Sequence, residues 1–223
     1  MTKTRAKVIV VVFLVSLLGV GGTLSCRQPP SVQIPNSRWV PIFFKEIDRV
    51  TNLAELPELK KVHVNQGDVE VRFWHGFSLA PLEGVIVKRT NGHWSAVHLN
   101  ANNYFEPQSE DVVVTELKPP KSGWEAFWRS LVDKGLLTLP DYSEINCEGD
   151  GFDSLDYVVE INQDNSYRTY MYRGAGKCRE ARQMEDIDQT IGLEFDSGEE
   201  ECKRMEWFPC ATLVQSRRQS SER

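Results

Sequence analysis

The chain has 223 residues and carries 26 Lys or Arg residues against 32 Asp or Glu residues, a net charge of −6. This acidic balance excludes the basic surface that nucleic-acid binding requires, so we expect no nucleic-acid partner. The length is enough for one well-packed domain and marginal for two.

The first 26 residues have the pattern of a secretory signal. Three basic residues within the first seven precede an apolar run over residues 8–22, and a short polar step leads to Cys26. A run of about 15 apolar residues is shorter than the roughly 20 that a membrane-spanning helix needs. We therefore expect cleavage of a signal peptide over residues 1–25.

This segment resembles a bacterial lipoprotein signal, in which the cysteine after the cleavage site becomes the lipidated first residue. Ser25 fits the small residue expected before that cysteine, whereas Thr23 stands where Leu is usual and Leu24 where a small residue is usual. The resemblance implies lipid on Cys26, including palmitate, and a protein tethered to a membrane on the outside of the cytoplasm. Secretion after ordinary cleavage and an uncleaved signal anchor are the alternatives.

The cysteines are consistent with export, because lipid on Cys26 would leave four of the five available for pairing. We expect disulfides, since these form in oxidising compartments. Three connectivities are open, and we favour Cys147–Cys178 with Cys202–Cys210. The first two flank a predicted hairpin, and the second pair is local. A metal site is the alternative, but the chain has no C-x2-C pair with a nearby histidine.

Composition divides the rest of the chain into three parts. Residues 26–37 are rich in proline and polar residues and are predicted to form the lipid-attached tether. A single α+β domain is predicted over residues 38–210, followed by a flexible polar tail over residues 211–223. Without the signal peptide the net charge is −9, which favours solubility and also suits a basic partner.

Strand patterns fill the first half of the predicted domain. Alternation predicts a strand over residues 69–74, with Val69, Val71 and Phe73 on one face. Runs over residues 85–88 and 94–99 flank Asn91-Gly92, a strong hairpin signal because both turn positions need positive φ. A fourth, valine-rich strand is predicted over residues 111–117.

The clearest helix signal is one apolar stripe with residues three and four apart. Ser122 and Glu125 have the spacing of a capping box at its start. Gly135 stands where a left-handed residue ends a helix. The stripe consists of Trp124, Phe127, Trp128, Leu131 and Val132.

A second hairpin is predicted over residues 157–161 and 167–172, with residues 162–166 as a five-residue loop. A weaker helical pattern covers residues 180–191. Strands separated by a helix predict an α+β fold in which an antiparallel, meander-type sheet packs one or two helices on one face.

Five short motifs follow one another between residues 70 and 175. Their order resembles a family of bacterial proteins of unknown function, in which a helix ends in a Leu-Pro step and is followed by two partner strands. The resemblance implies a fold module and no mechanism. The motifs are Arg72-Phe73-Trp74, Trp124-Glu125-x-x-Trp128, Leu137-Thr138-Leu139-Pro140, Gly151-x-Asp153-x-x-x-Tyr157-x-x-Glu160 and Tyr167-Arg168-x-Tyr170.

The second hairpin is the first candidate binding surface. A five-residue loop places Glu160 opposite Arg168, and the two-residue period then brings Tyr170 and Tyr172 to the same face. Aromatic rings beside an ion pair suit a polar ligand or a peptide, and a solvated salt bridge is the alternative. A shift of one residue in the register would remove this arrangement.

No catalytic or metal-binding motif is present. The carboxylates of residues 148–156 suit a solvated loop better than a calcium site, because their spacing is not that of an EF-hand. The four histidines show no ligand spacing. The chain also lacks G-x-S-x-G, H-E-x-x-H and a glycine-rich phosphate loop, so we expect neither a metal nor a cofactor.

These patterns predict an exported, membrane-tethered binding module of the cell envelope whose partner is a protein or an envelope component. An envelope hydrolase is the first alternative, with an acid pair drawn from Asp150, Asp153 and Glu160. The second is an inhibitory or structural protein whose acidic surface covers a basic target.

Overall fold

The computed structural model describes residues 31–77, 81–101, 111–147, 156–173 and 176–195. Within these ranges the chain forms one sheet and three α-helices. The strands are β1 (Ser31–Gln33), β2 (Val69–His75), β3 (Glu83–Thr90), β4 (His93–Ala101), β5 (Val112–Glu116), β6 (Asp156–Gln163) and β7 (Ser166–Arg173), and the helices are α1 (Trp39–Leu53), α2 (Trp124–Asp133) and α3 (Arg179–Glu194).

The sheet is mixed, with the strand order β1-β7-β6-β2-β3-β4-β5. Strands β2 to β5 form an antiparallel meander, and the β6–β7 hairpin pairs with β2. The predicted α+β class is confirmed, whereas the purely antiparallel sheet is wrong because β1 pairs in parallel with β7. Strand β1 lies within the segment predicted as a tether, and its pairing with Ser166 joins distant parts of the chain, which a local pattern does not reveal.

Helices cover both faces of the sheet, so the prediction of helices on one face is also wrong. Helices α2 and α3 pack on the face that carries Val71 and Phe73. Helix α1 packs on the other face, against Trp74, through its apolar stripe of Phe44 and Ile47. The central strands are therefore buried on both sides, as expected for a sheet between two helical layers.

Alternation along β2 sends two different sets of side chains to these faces. Val69, Val71 and Phe73 share one face, as predicted, and pack under α2 and α3. Glu70 and Arg72 point to the α1 face, where they are 5% and 1% exposed. Burial of charged groups is costly unless they are paired, so this face requires a network of partners.

The two hairpins differ in how well the sequence predicts them. Asn91 and Gly92 form the predicted two-residue turn, with φ of 52° and 79°. Asp164 and Asn165 form a second such turn, with φ of 50° and 62°, in place of the predicted five-residue loop. Asp and Asn tolerate the left-handed region, so the strands extend further and the register differs by one residue: Glu160 lies opposite Thr169.

The helix predicted from the apolar stripe is present as α2, and Gly135 has the expected left-handed φ of 95°. The predicted capping box of Ser122 and Glu125 is wrong. Helix α2 begins after Gly123, which has a φ of 83°, and no side chain caps its first turn. The Ser122 N–H instead donates to the carboxylate of Glu194, near the end of α3.

Candidate functional site

The predicted binding face of the second hairpin is not a surface. Arg168 and Tyr170 point toward the α2–α3 face with Tyr172, whereas Glu160 points toward α1. Tyr170 and Tyr172 are fully buried. The expected alignment is wrong because the two-residue turn shifts the register and moves Glu160 to the opposite face.

Three of these side chains fasten the segment after α2 to strand β7. Arg168, Tyr170 and Tyr172 alternate along β7, and each donates hydrogen bonds to main-chain carbonyls of residues 136–140. In this structure they join the two segments. The bonds run from Arg168 to Leu137 and Leu139, from Tyr170 to Leu136 at 2.8 Å, and from Tyr172 to Pro140 at 2.7 Å.

Glu160 belongs to a buried network on the α1 face. Trp74 Nε1 donates to one of its carboxylate oxygens at 2.7 Å, and the Tyr167 hydroxyl donates to the other at 2.8 Å. Arg72 lies directly opposite Glu160 on β2 and donates twice to Glu70 Oε1, at 2.9 and 2.7 Å. We call these five residues the buried network.

Burial raises the pKa of the Glu160 carboxyl, against the opposing effects of the Arg72 charge and of the two donated hydrogen bonds. The carboxyl is 3% exposed and both of its oxygens are occupied. It therefore does not serve as one member of a hydrolytic acid pair. The other predicted members, Asp150 and Asp153, lie outside the described residues, as does Glu148.

One predicted disulfide is confirmed. Cys147 and Cys178 are bonded, with an S–S distance of 2.07 Å. The bond joins the segment before β6 to the residue that precedes α3. Cys26, Cys202 and Cys210 lie outside the described residues.

The structure assembles a group of titratable side chains that the sequence does not reveal. His75 ends β2, Glu83 begins β3, and His98 lies on β4. Both imidazoles approach the same carboxylate oxygen, with His75 Nε2 at 3.6 Å and His98 Nε2 at 3.5 Å from Glu83 Oε2. Their side chains keep part of their surface accessible, with 31% exposed for His75, 12% for His98 and 21% for Glu83.

Helix α3 and the neighbouring strands complete this group. Asp188 of α3 is close enough for the charges of His75 and Glu83 to act on it. Asn100 lies directly opposite Glu83, and its Oδ1 is buried with no hydrogen-bond partner among the described residues. We call His75, Glu83, His98 and Asp188 the histidine–carboxylate cluster.

The two carboxyls of the cluster have pKa values shifted in opposite directions. Burial raises the pKa of Glu83, but a hydrogen bond from His98 and the charges of both histidines outweigh it, so the net pKa is lowered. Burial also raises the pKa of Asp188, where the Glu83 charge adds to the effect and His75 opposes it, and the net pKa is raised. Environments that separate two carboxyls in this way occur at functional sites.

Strand pairing brings the two histidines of the cluster and Glu83 together, and α3 adds Asp188. His75 lies opposite Glu83 in the β2–β3 pair, and His98 lies on β4 two residues from Asn100 on the same face. The sequence spacing of the histidines carried no signal because their contact depends on which strands are neighbours. A prediction that β3 pairs with both β2 and β4 would have shown that these side chains are neighbours.

Among the described residues, no group of three or more His, Cys, Asp or Glu side chains is placed to hold a metal ion. Within the same ranges, no helix is both long and apolar enough to cross a membrane. The chain matches no protein-family model, no curated protein and no solved structure.

Proposed function

We propose that the protein is an exported binding module, held to a membrane by lipid on Cys26, that binds a protein or envelope component through the histidine–carboxylate cluster. The observation that carries this proposal is the cluster itself. Two histidines share one accessible carboxylate there, whereas the buried network on the other face is closed to solvent. Accessible groups with shifted pKa values are typical of binding and catalytic sites.

The disulfide supports the extracytoplasmic location. Bonds such as Cys147–Cys178 form and persist in oxidising compartments and are rare in the cytosol. The signal-like first 26 residues point to the same compartment.

A short connection to the membrane would orient the domain. Only residues 27–30 separate Cys26 from Ser31, and this length spans at most about 18 Å. Ser31 pairs with Ser166, beside the β6–β7 turn, so lipid on Cys26 would hold this end of the sheet near the membrane. His75 lies six residues along β2 from that end, about 20 Å away. The cluster would then be available to a partner.

Lipidation is tested by labelling cells that express the full chain with radioactive palmitate. We expect label in the wild type and in the control Ser25→Ala, and none in Cys26→Ser, which should leave the membrane fraction. Label that persists in Cys26→Ser, or its absence from the wild type, would refute the tether.

Binding is tested in the same cells with a photo-crosslinking residue at one of two exposed positions. Gln189 is exposed on α3 beside Asp188, and His93 lies at the turn end of the sheet. We expect a protein or envelope adduct from position 189 that Glu83→Gln removes, and no such adduct from position 93. Adducts that are insensitive to Glu83→Gln would exclude the cluster as the binding site.

A hydrolytic function is the second candidate, because Glu83 and Asp188 have pKa values shifted in opposite directions. A pair of this kind can supply a base and an acid. The test is the hydrolysis of chromogenic ester, amide and glycoside substrates by the wild type and by Asp188→Asn. Equal rates for the two proteins would remove this candidate.

A further inference from the structure

The histidine–carboxylate cluster has more acceptors than donors when its imidazoles are neutral. The groups that face it are His75 from β2, Glu83 from β3, His98 from β4 and Asp188 from α3. Among the described residues, no Lys or Arg forms a salt bridge with either carboxylate. The two histidines are therefore the only basic side chains that contact Glu83 among the described residues.

The elements around the cluster add negative charge or hydrogen-bond acceptors. Tyr157 lies opposite His75 on β6, and the charges of Asp188 and Glu185 reach it. Asn100 Oδ1 is a buried acceptor beside Glu83 with no described partner. A buried acceptor without a donor costs free energy, so the region beside Glu83 is short of hydrogen-bond donors.

We infer that the cluster binds a basic side chain of the partner, the ammonium group of a lysine or the guanidinium group of an arginine. This inference rests on the proposed function and names the chemistry of its partner. An ammonium group brings three N–H donors and a guanidinium five, each with a positive charge. Such a group matches two carboxylates and an amide oxygen, and hydrogen bonds between charged partners are the strong ones.

The test is an NMR titration of the full-length chain in detergent with short peptides of the form acetyl-Gly-X-Gly-amide. The residue X is Arg, Lys, Glu or citrulline, which is an uncharged analogue of arginine. We expect the Arg and Lys peptides to shift the imidazole signals of His75 and His98 with saturation. The Glu and citrulline peptides should leave those signals in place.

Variants identify the contacts. Glu83→Gln and Asp188→Asn should each weaken binding of the Arg peptide about tenfold, the effect expected on losing one charged hydrogen-bond partner. The control Glu116→Gln removes an exposed carboxylate from β5 and should leave the affinity unchanged. The backbone amide spectrum of each variant verifies that it is folded.

Equal shifts with the citrulline peptide, no shift with any peptide, or equal affinity in Glu83→Gln would overturn the inference. A Glu83-dependent adduct in cells together with no response to basic peptides would overturn only the inference and leave the proposed function standing. If the cells give no Glu83-dependent adduct and the protein does not respond to basic peptides, the inference and the proposed function are both overturned.

Discussion

The two faces of the sheet each carry a group of charged residues, and the groups differ in access to solvent. In the buried network, Arg72 is 1% exposed and Glu160 is 3% exposed, with hydrogen bonds of 2.7–2.9 Å. In the histidine–carboxylate cluster, two imidazoles share one carboxylate oxygen at 3.5 and 3.6 Å and remain partly accessible. The first group is closed to solvent, whereas the second is partly open to it.

This difference follows from position in the sheet. The buried network lies in the middle of the strands under α1, where water is excluded and every charge needs a protein partner. The cluster lies where β2 ends and β3 begins, and the side chains of His75, Glu83 and His98 keep 12–31% of their surface exposed there. Charged residues at neighbouring positions of one strand can therefore serve unrelated purposes.

The largest expected effect comes from removing the cation of the buried network. Arg72→Met keeps much of the side-chain volume but leaves Glu70 and Glu160 buried without it. Breaking a buried pair in this way costs about 3–5 kcal/mol of unfolding free energy. Urea denaturation measures the loss, and Arg182→Met on the exposed side of α3 is the control, with a change below about 0.5 kcal/mol. Equal stability of the two variants would contradict a structural role for the network.

Loss of the disulfide should have a comparable effect. The bond closes a loop with a sequence separation of 31 residues, for which chain entropy predicts about 3–4 kcal/mol. We expect this loss in the double variant Cys147→Ala and Cys178→Ala, measured by urea denaturation of the variant and of the wild type without reductant. An unchanged denaturation midpoint in the double variant would show that the bond does not stabilise the domain.

A smaller loss of unfolding free energy is expected from Gly84→Ala, which crowds the Trp74 ring. A Cβ added at Gly84 would lie 2.5 Å from two atoms of the Trp74 ring, whose Nε1 holds Glu160. Overpacking of this kind costs about 1–3 kcal/mol. The control Gly192→Ala in α3 meets nothing within 4 Å and should be neutral or slightly stabilising. A stable Gly84→Ala variant would show that the α1 face can rearrange.

The smallest effect, a gain in stability, is expected from a substitution in the cluster. The native pKa of Asp188 is raised, so its contribution to stability falls as the pH rises from the ordinary carboxyl pKa through the native one. Asp188→Asn should therefore match the wild type near pH 3 and be slightly more stable at pH 7. Denaturation curves at the two pH values give this comparison, and a loss at pH 7 would place Asp188 among the structural residues.

Local patterns predicted much of the fold. Asn91-Gly92 specified its turn because both residues readily adopt positive φ. The stripe of α2 specified its helix, since Trp124, Phe127, Trp128 and Leu131 belong to or pack against one core. Helix α1 was not predicted, although Phe44, Ile47 and Val50 form a comparable apolar stripe.

Contacts between distant residues explain what was missed. Strand β1 is three residues long and exists through its pairing with β7, which no local pattern encodes. The Asp164-Asn165 turn shifted the second hairpin by one residue and moved Glu160 from the expected surface into the core. The histidine–carboxylate cluster requires the order β2-β3-β4 and the placement of α3 above it.

The most direct test of the contrast between the two groups is the stability of a variant that removes both histidines of the cluster and the carboxylate they share. In His75→Gln, Glu83→Gln and His98→Gln combined, we expect an unfolding free energy within about 1 kcal/mol of the wild type, because partly exposed pairs contribute little. The same protein should no longer respond to the Arg peptide. A loss of several kcal/mol, as expected for Arg72→Met, would contradict the account and place the cluster among the groups that hold the fold together.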